Sequence, residues 1–97
     1  MKKYCILESI GSYVIAEGGP ETGRIFKPEK RTEFPNIDNL FDYIRNNVPS
    51  DKKTLFSLDS HLEEIDRTKS ILSDIRPRAE ISILDLRKAY RKEPPEE

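Results

Sequence analysis

Leu58-Asp59-Ser60-His61 is the segment of this chain whose residue types and spacing come closest to a catalytic arrangement. An imidazole two residues from a carboxylate can act as a base with its orienting partner, or the pair can join a metal's ligand set. A predicted strand ends at Leu58 and a helix signal follows. In α/β architectures sites collect at the carboxyl ends of parallel strands, where a helix N-terminus attracts anions. The same residues also have a plainer use. Asp59 and Ser60 are types that cap helices, and His61 would then be an ordinary polar residue of a first turn. No second motif supports catalysis. The expectation is therefore capping, no catalytic residue and no enzyme activity, with a small enzyme or enzyme subunit using Asp59 and His61 as the alternative.

Metal and cofactor motifs are no better specified. One histidine and one cysteine in 97 residues exclude a zinc site built from four Cys/His ligands, and no carboxylate spacing picks out a Mg²⁺ site. Gly18-Gly19-Pro20-Glu21-Thr22-Gly23 lacks the Gly-Lys-Ser/Thr ending of a phosphate loop and precedes a predicted strand rather than a helix. It reads as a hairpin loop, and no cofactor is expected. Cys5 lies in an apolar run and reads as a small buried hydrophobe.

The remaining candidate is electrostatic. Arg76, Arg78, Arg87, Lys88, Arg91 and Lys92 face only Glu80 and Asp85 across residues 76–92. Such a patch can meet an acidic protein face or a phosphate backbone. It can equally be a solvated surface screened by Glu93, Glu96 and Glu97. A patch of six side chains beside an acidic tail is poor equipment for following a duplex, so protein is favoured over nucleic acid as partner. The favoured function is thus a small non-catalytic interaction or regulatory module that binds another macromolecule through these residues.

Composition bounds what can position any of this. The net charge is −1, which argues against a general polyanion binder. Charged residues make up 36% of the chain, yet 25 of its 97 residues are Ile, Leu, Val or Phe, enough for one modest core. So lean a core makes a homodimer physically economical. No run is long and apolar enough for a membrane span, and Glu8 interrupts what would be a signal-peptide core. The expectation is a soluble cytoplasmic protein.

Hydrophobic periodicity supplies the elements. Lys3–Ile10 and Tyr13–Ala16, separated by Gly11-Ser12, read as a hairpin. Arg24–Lys27 reads as a third strand, and 28–35 as a charged loop. Ile37, Leu40, Phe41, Ile44 and Val48 form one helical stripe behind an Asn36 N-cap. Thr54–Leu58 reads as a strand. Ser60 and Glu63 read as a capping box that starts a second helix at His61 and runs to Arg76-Pro77. A strand over Glu80–Leu84 and a short helix over Asp85–Arg91 complete the domain. The fold class expected is α+β: an N-terminal antiparallel β-meander, then a helix and a βαβ unit, on a small mixed sheet with helices mainly on one face. Residues 1–92 form one domain and 93–97 an acidic, disordered tail.

Overall fold

The structure, a computed structural model, describes residues 2–18, 30–50 and 52–87. Five strands and two helices follow one another as β1 (Lys2–Ser9), β2 (Ser12–Glu17), β3 (Lys30–Phe34), α1 (Ile37–Asn47), β4 (Thr54–Asp59), α2 (Ile65–Ile75) and β5 (Glu80–Leu84). The sheet order is β3-β2-β1-β4-β5. β1 and β2 form an antiparallel hairpin closed at the Ser9–Ser12 pair, where Gly11 takes a φ of 72°. β3 runs antiparallel to β2, while β1–β4 and β4–β5 are parallel pairs. This is the meander, helix and βαβ unit expected of the sequence.

Apolar residues on both parities made β1 a central strand, and it is central. Tyr4, Cys5, Ile6 and Leu7 are all buried. Tyr4 and Ile6 belong to the main core with Ile15, Phe56 and Leu58, and the helical residues Leu40, Phe41, Ile44 and Leu72 close over them. Both helices therefore cover one face of the sheet. Cys5 and Ala16, on the other face, cluster with Leu86. Helix α1 begins as its sequence requires, with the Asn36 carboxamide oxygen accepting the Asn39 amide at 3.0 Å. Its last carbonyls are met from outside the helix. Arg76 donates through Nε to Val48 O at 2.9 Å and through Nη2 to Ile44 O at 2.7 Å and Arg45 O at 3.1 Å.

Three local expectations are corrected. β3 occupies Lys30–Phe34, inside the stretch read as a charged loop, whereas Arg24–Lys27 lies outside the described residues. Thr32 and Phe34 turn inward, with Phe34 against Tyr43 at 5.4 Å, and the exposed Lys30, Arg31 and Glu33 are the charges that keep an edge strand from pairing further. Helix α2 starts at Ile65 rather than His61, and its N-cap Glu64 makes no side-chain capping bond. The capping box does not form because its parts are used elsewhere. The Ser60 amide donates to Leu84 O at 2.7 Å, prolonging the β4–β5 pairing, and the Glu63 amide donates to the Glu8 carboxylate at 3.2 Å. Of the helix expected over 85–91, Asp85 is not helical, Leu86 and Arg87 are, and 88–91 lie outside the described residues.

Candidate functional site

Because β1, β4 and β5 are mutually parallel, the chain leaves all three strands at the same edge of the sheet. That edge gathers Glu8 near the end of β1, Asp59 at the end of β4, and Asp85 just beyond β5. The tight turn between β4 and α2 adds His61 and Glu63, with Leu62 N–H donating to Asp59 O at 3.1 Å. An open cleft of about 620 Å³ lies here, lined by Glu8, Ser9, Ile10, Gly11, His61, Glu63 and Arg87. Ile10, at the tip of the β1–β2 turn, is fully exposed on its rim.

Asp59 is the centre of the arrangement. Its side chain has no solvent exposure. Oδ1 accepts the Leu86 amide at 3.1 Å and lies 3.4 Å from His61 Nδ1. His61 Nδ1 is in turn 3.7 Å from Asp85 Oδ1, so one imidazole nitrogen sits between carboxylates from two parallel strands' ends. Oδ2 of Asp59 is buried with no hydrogen-bond partner, and Arg87 Nε stands 3.7 Å away, beyond hydrogen-bonding range. Asp59, His61 and Asp85 each offer one ligating atom, all within 4.8 Å of one another.

The edge as a whole is acidic. Among the described residues it carries Glu8, Asp59, Glu63 and Asp85 and one guanidinium, that of Arg87, which shares the cleft lining with Glu8 and Glu63 and lies 3.7 Å from Asp59. The field is felt at Tyr13 on β2. Its hydroxyl is pushed above its ordinary pKa first by burial and then by Glu8, Glu64 and Glu63, with Arg67 opposing them. On the far face, Cys5 is not a nucleophile. Burial drives its thiol up to about 12, against the lowering effects of a Ser57 hydrogen bond and of Lys3.

The residues singled out from the sequence fare differently. Asp59 does cap backbone, but at Leu86 across the sheet rather than at α2, and His61 is in the company of two carboxylates rather than free of them. Of the six basic residues, the three described are divided between the two ends of β5. Arg76 and Arg78 precede β5 and Arg87 follows it, so they occupy opposite ends of a strand that spans about 13 Å. Arg76 is committed to backbone carbonyls of α1. Lys88, Arg91 and Lys92 lie outside the described residues. Glu8, Glu63 and Asp85 were not singled out as site residues. The signal for Asp85 was present: Leu58-Asp59 and Leu84-Asp85 repeat the same dipeptide at the ends of two strands of the βαβ unit. Comparison with family models, characterised proteins and solved structures finds no match for this chain.

Proposed function

We propose that the protein is a small enzyme, or the subunit of one, whose site is the cleft at the carboxyl edge of β1, β4 and β5. In this reading Asp59, His61 and Asp85 form the polar centre that activates water, and Arg87 receives an anionic group of the substrate. The reaction class is hydrolysis of an ester or phosphoester.

One observation carries the proposal: Asp59 Oδ2 is fully buried and accepts no hydrogen bond, with only Arg87 as a charge partner at 3.7 Å. A carboxylate oxygen held that way costs on the order of 1–3 kcal/mol or more. Capping of Leu86 accounts for Oδ1 and would be served as well by Asn or Ser. It leaves Oδ2 without a hydrogen bond, and buried groups of this kind concentrate where chemistry is done. The cleft is preferred to the basic cluster because Arg76 is committed to α1 and Arg87 stands at the other end of β5, while Lys88, Arg91 and Lys92 lie outside the described residues.

The test is turnover of p-nitrophenyl acetate and bis(p-nitrophenyl) phosphate by the full chain, with and without divalent salts. The expected result is hydrolysis of one of these probes above the buffer rate, lost in His61→Ala. Absence of turnover with both probes under all salts, together with no NMR shift change at residues 59–63 or 85–87 on adding acetate or inorganic phosphate, would overturn it.

A further inference from the structure

We infer that Asp59, His61 and Asp85 bind a single divalent transition-metal ion, Zn²⁺ or Mn²⁺, with its open coordination position facing the cleft. The inference rests on the site proposed above and specifies how that site would activate water.

The geometry suits such an ion. Ligands at 2.0–2.2 Å from a tetrahedral metal are separated by about 3.3–3.6 Å. The Asp59–His61 and His61–Asp85 separations are 3.4 and 3.7 Å, and all three ligand atoms lie within 4.8 Å of one another. Neither is a good hydrogen bond, and both are near the spacing of two atoms sharing a cation. Asp59 is fixed, being fully buried and tied to the Leu86 amide, while Asp85 is 42% exposed and free to close the remaining gap. Asp59 also supplies a second, independent sign of a missing cation: its fully buried Oδ2 accepts no hydrogen bond and has only the Arg87 guanidinium, 3.7 Å away, to balance it.

Charge and donor type select the ion. Among the described residues, four carboxylates and one guanidinium lie at this edge, a balance that favours a cation there. Mg²⁺ and Ca²⁺ prefer all-oxygen shells, whereas an imidazole with two carboxylates suits Zn²⁺ or Mn²⁺. Three protein ligands leave a coordination place for water, whose acidity the ion raises. Arg87, the nearest positive group to Asp59 Oδ2, is then the ion's competitor in its absence.

The test uses the full chain, stripped with chelator and titrated with ZnCl₂ or MnCl₂ in a calorimeter, with the melting temperature as second readout. The expected result is one ion per chain and a raised melting temperature. His61→Ala and Asp85→Asn, both at exposed positions, should each weaken binding by about tenfold or more. Asp74→Asn, on the outer surface of α2, should leave it unchanged. Arg87→Ala should tighten binding by removing the competing cation, a result that a purely structural Asp59–Arg87 pair does not produce. No saturable heat at millimolar metal, or binding indifferent to both His61→Ala and Asp85→Asn, overturns the inference. Probe hydrolysis that persists in chelator would overturn the metal alone and leave the cleft as the site. Metal binding without turnover would do the reverse.

Discussion

Replacing Arg76 with Ala should unfold this protein more readily than removing any other charged side chain described here. The guanidinium lies at the end of α2, yet it serves the end of α1. Nε and Nη2 both reach Val48 O, at 2.9 and 2.6 Å, and Nη2 also reaches Ile44 O and Arg45 O, while Nη1 meets Ile75 O at 2.5 Å. Terminal helix carbonyls carry partial negative charge, so a cation there is favoured by the dipole as well as by its hydrogen bonds. A bond from a charged donor contributes about 1.5–3 kcal/mol. These bonds share one group and are not additive, and the side chain is half-buried, so water can replace part of what is lost. The loss should be about 2–4 kcal/mol, from the charged-donor bonds and the dipole together. At roughly 4–8 °C per kcal/mol for a chain of this size, that lowers the melting temperature by at least about 8 °C. Urea unfolding followed by circular dichroism measures it. Arg76→Lys should recover only part, since an ammonium lacks the planar fork that spans several carbonyls. A cost for Arg76→Ala below about 0.5 kcal/mol, the effect of an ordinary surface substitution, would refute the bridging role and return Arg76 to the solvated surface.

Leu40 has no exposure in the main core, so Leu40→Ala should cost about 2–5 kcal/mol in urea unfolding; a loss under about 1 kcal/mol would mean that α1 does not carry the core. Asp59→Asn keeps an acceptor for Leu86 N–H and removes a buried charge, so its stability should equal the wild type or exceed it by about 1 kcal/mol, whereas Asp59→Ala should lose about 1–3 kcal/mol. A marked loss in Asp59→Asn would show that the charge stabilises the fold and weaken the functional reading. Cys5 should resist alkylation in the native state at pH 8 and react once the chain is unfolded. Its folded pKa, about 12, lies above the thiol's ordinary value of about 9, so the stability it contributes is complete at neutral pH and lost as pH rises. Between about pH 9 and 12 the wild type should lose up to about 1.4 kcal/mol per pH unit more than Cys5→Ala, and parallel curves would contradict this burial.

The sequence determined those features whose cause is local or periodic. The stripe from Ile37 to Val48 and the Asn36 cap define α1 because both are set within a few residues of chain. The two-faced apolar run of β1 makes it central, and β5 falls at Glu80–Leu84 as alternation predicts. Ile6, Val14, Ile15, Leu40, Phe41, Ile44, Leu58, Leu62 and Leu72 are buried and Ile65 is half-buried, since hydrophobic burial follows residue type. Tertiary structure decided the rest. β3 is a strand because β2 offers it a ladder of partners from Tyr13 to Glu17, which outweighs the weak strand propensity of Lys30, Arg31 and Glu33. Ser60 and Glu63 have the spacing of a capping box, but Leu84 O and the Glu8 carboxylate, 24 and 55 residues away in the chain, claim their amides first. The site follows the same logic. Asp59 and His61 were visible as a pair, and Asp85 and Glu8 joined them only when parallel pairing brought the ends of β1, β4 and β5 to one edge. Spacing along a chain fixes which residues share a helix face or strand face. Which strand ends meet depends on long-range pairing, and that is settled only when the whole sheet forms.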